Sequence, residues 1–174
     1  MLRFNRPAVA LHWLMALLIV AAFALGWVMT DIPGFTPTKL KYFSWHKWVG
    51  VTVLGLAAIR LLWRLIHKAP PYPPGMPMWQ QNAAHALHGL LYLMFFAVPI
   101  SGYCYSLAAG VPVVYLGIIP LPVFIDPNPE LKLILKAVHI YLTKGLLLAI
   151  ILHFAAAMKH QFIDRDATLQ RMLP

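Results

Sequence analysis

Eight histidines are the main chemical resource of this 174-residue chain. Three of them, His139, His153 and His160, lie on one apolar stretch and its exit. His139 and His153 are 14 residues apart, which on a helix is about 21 Å of rise and almost four full turns, so both rings face one way at opposite depths. Imidazoles placed like this suit two stacked haems, each iron taking one ligand from the same helix. Each iron then needs a partner at its own depth. His46 stands level with His139, and His12 stands level with His153. A single histidine in an apolar segment can simply bond a neighbouring carbonyl. Four at matched depths are harder to explain that way, because polar groups in hydrocarbon are costly and usually functional. Zinc is the main rival use of imidazoles, but the acidic co-ligands common in transport sites are missing from the apolar segments. The single cysteine, Cys104, excludes an internal disulfide and a Cys-rich metal centre, and no Cys-x-x-Cys-His is present for covalent haem attachment.

Further residues gather around these pairs. The seven-residue rhythm His46, Val53, Arg60, His67 keeps one helical stripe, so Arg60 points inward, where a haem propionate would answer its charge. Arg64 suits snorkelling toward lipid headgroups. Gly50 and Gly102, the latter near Pro99, would let a flat macrocycle approach the backbone. His85 and His88 are three apart and share a face. Either could replace His12 as a ligand, or bond propionates or a quinone. His160 lies at the rim where a quinone head group would enter, and His67 beside Lys68 is a surface residue.

The elements that must position these side chains follow from the apolar pattern. Apolar and aromatic residues make up 61% of the chain and charged ones 11%, with a mean hydropathy of +0.72, which excludes a water-soluble enzyme. Stretches at about 8–30, 44–65, 82–107 and 131–158 each reach the roughly 20 residues a bilayer crossing needs. The expected architecture is all-α, an integral membrane four-helix bundle forming one unit over 1–174 with both termini on one side. Arg3, Arg6 and the later Ala22-Phe23-Ala24 imitate a secretory leader, but the apolar run continues unbroken to Met29. The net charge of +9 comes from residues scattered at segment ends, which fits membrane lipid and no nucleic acid. Arg3, Arg6, Arg60, Arg64, Lys68, Lys159, Arg165 and Arg171 share the terminal side, and Lys39, Lys41, Lys47, Lys132 and Lys136 the other, so both termini are placed in the cytoplasm. The proline-rich 69–78 reads as a stiff connector. Gly110 to Ile125 is too short and proline-interrupted to cross, and reads as a lid at the outer interface, closed by Asp126-Pro127-Asn128-Pro129. Lys144, about 140° around the helix from His139, has no assigned role.

Together these residues resemble the bacterial cytochrome b561 family, di-haem four-helix membrane cytochromes similar also to the cytochrome b subunits of hydrogenases. The carriers are His12-Trp13; His46 with Gly50, Arg60 and Trp63-Arg64; His85-Ala86-Leu87-His88 with Leu91-Tyr92 and Pro99-Ile100-Ser101-Gly102; and His139, His153, His160 and Arg171-Met172. The resemblance implies two haems b, one held by His46 and His139 and one by His12 and His153, in a bacterial inner membrane. It also implies electron exchange with ubiquinone and, in one branch, oxidation of superoxide. Members of the family carry lysines in the connector, whereas Pro73-Pro74-Gly75-Met76-Pro77 has no basic residue. A quinone site would therefore draw on His160, His88 and Arg64.

Two functions follow as expectations. The first is a superoxide:ubiquinone oxidoreductase, with the outer lysines attracting a small anion. The second is an electron-relay anchor joining the quinone pool to a periplasmic partner such as a hydrogenase, dehydrogenase or cytochrome c, docked on the lid. A histidine-lined metal carrier is the non-redox alternative.

Overall fold

The computed structural model describes residues 3–173. Four long helices carry the chain: α1 (Arg6–Asp31), α2 (Pro37–Ile66), α3 (Met78–Ala108) and α4 (Pro129–Lys159), with α4 running into a π-helical turn at His160–Asp164. All four are long and apolar enough to cross a bilayer. They extend beyond the apolar windows because caps set their ends. Asn5, Thr36 and Asn128 each accept a first-turn backbone amide through the side chain, with proline in the opening turn. Helix α3 follows Pro77 and keeps Pro99 inside it, where the ring removes one helical hydrogen bond. Past its C-cap Ala109 the chain turns away at Gly110, whose φ of +74° is a left-handed position suited to glycine.

The bundle is an arc. Cα atoms approach within 8 Å between α1 and α2, α2 and α3, and α3 and α4, whereas α4 comes that close to neither α1 nor α2. The buried core is small and central: Met15 and Ile19, Val53 and Ala57, Leu91 and Phe95, Leu146 and Ala149. Leu146 and Ala149 fall between His139 and His153, and Val53 and Ala57 fall between His46 and Arg60. A packed apolar layer thus separates the two ends of the bundle. Outward-facing Leu17, Trp27, Leu65 and Ile66 leave large apolar side chains for lipid tails to cover.

Between α3 and α4 the chain folds into a small antiparallel hairpin, β1 (Val114–Tyr115) and β2 (Ile119–Pro120). This lid is fastened down. Trp48 Nε1 donates to the Val114 carbonyl at 2.7 Å, the Thr52 and Tyr115 hydroxyls bond at 2.9 Å, and the Tyr103 hydroxyl donates to the Pro122 carbonyl. At the other end the C-terminal tail crosses the start of α1. Phe4 N donates to the Arg171 carbonyl at 3.3 Å and Trp13 Nε1 to the Met172 carbonyl at 2.7 Å. Arg171 is itself buried, over the Phe4 ring.

Candidate functional site

At the lid end, His46 of α2 and His139 of α4 reach across the gap between their helices, with ring centroids 6.3 Å apart and planes at 89°. Each ring is aimed by its own backbone partner. His46 Nδ1 donates to the Ala22 carbonyl of α1 at 2.9 Å, and His139 Nδ1 donates to the Val98 carbonyl of α3 at 3.1 Å, with Ser101 Oγ at the same 3.1 Å. With the proton fixed on Nδ1, the Nε2 lone pair is free in both rings, the tautomer that outer hydrogen bonds impose on metal-binding imidazoles. All four helices therefore meet at this pair. Of the two glycines expected to admit a macrocycle, Gly102 carries the His139 ring, whose Cε1 would lie 2.8 Å from an added Cβ; Gly50 has nothing within 4 Å of one.

At the terminal end, His153 is faced by two rings. His12 lies 6.1 Å away between centroids, and His88 lies 5.3 Å away. Arg60 does point inward, with its Nη2 3.1 Å from His12 Nδ1 and its Cζ 5.7 Å from the centre of the Tyr92 ring. A guanidinium only donates, so this His12 Nδ1 is an acceptor and the proton sits on Nε2. Arg60 and Arg64, with Arg3, Lys68, Trp63 and Tyr92, line a cavity of about 290 Å³. His67 is exposed and stacks on Trp63 at 3.9 Å, while His85 is exposed beside Tyr72.

These dimensions test whether haem fits. Two imidazoles bound to one metal from opposite sides, at about 2 Å each, hold their ring centroids roughly 6 Å apart. The His46–His139 and His12–His153 separations meet that requirement, and the 5.3 Å of His88–His153 falls short of it. No Cα of α4 comes within 8 Å of α1 or α2, so both pairs of rings meet across side-chain space and not across packed backbone.

Of the three quinone candidates, Arg64 alone lines the 290 Å³ cavity, and His88 stands against His153. His160 bonds Asp166 Oδ2 through Nδ1 at 2.7 Å, with Asp164 Oδ2 3.1 Å away. Arg165, in the left-handed region at φ +51°, turns the chain back so that Asp166 meets His160. Burial pushes the Asp166 carboxyl up, but hydrogen bonds from Thr168 and the His160 ring outweigh it and hold the group below the usual carboxylate range. His160, Asp164 and Asp166 are grouped closely enough to hold a cation, yet Lys159 Nζ already sits 2.5 Å from Asp164. Lys144 is exposed, its ammonium 5.7 Å from the centre of the Tyr141 ring.

The sequence marks Ser101 and Tyr92 as carriers of the family resemblance without giving either a role, and it leaves Asp166 unremarked. The roles of the first two come from contacts across helices, Ser101 to His139 and Tyr92 to Arg60, which residue spacing along one helix does not show. Asp166 does carry a signal, a carboxylate six residues past His160, but it lies beyond the apolar segment 131–158.

A helical membrane bundle with imidazoles paired at this spacing is the architecture of a membrane b-type cytochrome. The chain belongs to the prokaryotic cytochrome b561 family, whose sequence model matches residues 3–174. It is 36% identical over 172 residues to cytochrome b561 homolog 2 of Escherichia coli K12, covering 98% of this chain and 91% of that one. It is 31% identical to cytochrome b561 homolog 1 of the same organism, covering 99% and 97%. The probable superoxide oxidase CybB of Yersinia pestis is 32% identical over 176 residues, covering 99% and 96%. The protein is thus a multi-pass membrane haem protein of redox function.

Proposed function

We propose that this cytochrome oxidises superoxide at its lid end and reduces ubiquinone at its terminal end, as a two-haem enzyme of a bacterial inner membrane with both termini in the cytoplasm. The observation that carries this is the pair of histidine sites at opposite ends of one bundle, with an apolar layer between them. The name of the Yersinia pestis relative supports the choice of donor. Two superoxide anions yield two dioxygen molecules and two electrons, and ubiquinone takes those electrons with two protons to become ubiquinol.

Haem iron supplies the one-electron steps when bound. The protein's part is positioning. His46 and His139 offer Nε2 atoms already aimed by Ala22, Val98 and Ser101. His12 and His153 would serve the other site, where the His12 proton must shift from Nε2 to Nδ1 to free Nε2 for ligation. Arg60, no longer donating to Nδ1, would be left for an anion such as a propionate. His88, too near His153 to share an iron with it, bonds a propionate or the quinone. His160, its Nδ1 proton held by Asp166, presents Nε2 for proton exchange with the quinone.

A superoxide pulse given to the purified protein tests this. Haem should be reduced, then reoxidised when ubiquinone is added. Haem that responds to a periplasmic redox protein but never to superoxide would favour the relay, docked on the exposed Ile118 and Phe124 of the lid.

A further inference from the structure

The lid-end lysines differ in what holds them. Lys39 Nζ donates to the Ile32 carbonyl at 2.7 Å, and Lys41 lies exposed 4.9 Å from the centre of the Trp45 ring. Lys47 turns inward. It is half-buried, and its Nζ is 3.3 Å from Ser106 Oγ. Ser106 is buried and gives its own proton to the Val111 carbonyl at 2.5 Å, so only a lone pair is left toward the lysine. An ammonium has three donors. Among the described residues no carboxylate lies within 4.0 Å of this one.

Its position is informative. Lys47 follows His46 directly on α2, and Ser106 lies one turn, about 6 Å, beyond Gly102, the residue that seats the His139 ring. An ammonium with no counter-ion among the described residues therefore lies against Ser106, on the lid side of the His46–His139 pair. We infer that Lys47 and Ser106 form an anion-binding site that holds superoxide beside the outer haem, an inference that rests on the superoxide reading above. There the anion would be held beside a haem carried by His46 and His139, to which it could give its one extra electron and leave as neutral dioxygen. No bond breaks and no proton moves, and the neutral product has no charge to keep it on the ammonium.

The test uses the full-length haem-loaded protein, the parent against Lys47→Gln and Lys47→Arg, with pulsed superoxide at low salt and at 0.5 M salt. Lys47→Gln should keep both haems, react about tenfold more slowly at either salt concentration, and lower the midpoint potential of the outer haem alone. Lys47→Arg should recover most of the rate. Persistence at high salt separates a buried site from long-range steering, which salt screens. A Lys47→Gln protein that reacts at the parent rate overturns the site while leaving the superoxide reading intact. One that loses the outer haem also overturns it, because Lys47 then serves a propionate. A parent protein that superoxide does not reduce takes down the functional reading itself, and this site with it.

Discussion

A Cβ placed on Gly102 would come within 2.8 Å of Cε1 and 3.1 Å of Nδ1 of His139. The ring cannot retreat freely, because its Nδ1 is tied to Val98 and Ser101 on the same helix as Gly102. Backbone, glycine and imidazole thus form one rigid seat at the lid end, and the glycine is required for its absence of a side chain.

Gly102→Val should therefore displace His139 and remove or distort the outer haem while the inner one keeps its spectrum. Overpacking of this kind costs about 1–3 kcal/mol of stability, so a folded, half-loaded protein is the expected product. Visible spectra with redox titration check it. An unchanged outer haem would mean that His139 is not held where the geometry has it.

At the terminal end two rings compete for the role of partner to His153. The 6.1 Å spacing favours His12 over His88 at 5.3 Å. His12→Ala should eliminate the low-spin inner haem, whereas His88→Ala should retain two haems and slow quinone reduction severalfold. The reverse pattern moves the ligand to α3.

Rise along a helix converts directly into depth, which is why the level of His46 with His139 and of His12 with His153 was legible from residue spacing. Rotation and cross-chain contact were not. His85 and His88 share a face by spacing, but packing sets His88 against His153 and His85 beside Tyr72. Lys47 and Ser106 are 59 residues apart and meet only because α2 packs on the end of α3. The return of Asp166 to His160 depends on a left-handed turn at Arg165, a residue type that gives no such signal.

Asp166 supplies a pH prediction. Its carboxyl is held below its ordinary value in the folded chain, so its contribution to tail order is complete above the unfolded pKa of about 3.9 and is lost as pH falls through the lower folded value. Protection from hydrogen exchange across 160–173, corrected for the intrinsic pH dependence of amide exchange, should fall at acid pH in the parent. In Asp166→Asn exchange should already be faster at neutral pH, with little further acid response. An identical acid response in both proteins would show that another group governs the tail.

The exposed rim is expected to act at longer range than Lys47. Replacing Lys41, Lys132 and Lys136 by Gln should slow reduction by superoxide about two- to fivefold at low salt and leave it unchanged at high salt, where the Debye length has fallen to about 3 Å at 1 M. Stopped-flow rates across a salt series decide it. A rate that ignores these charges at low salt removes steering from the account.

Haem content per chain tests the central claim most directly. If His46 with His139 and His12 with His153 are separate axial pairs, a pyridine haemochrome assay on the purified protein should find two non-covalent haems b per chain. It should find one in His139→Ala and one in His12→Ala, the surviving haem differing between the two variants. One haem or none in the parent, or loss of both from either folded variant, would contradict two independent sites stacked along α4.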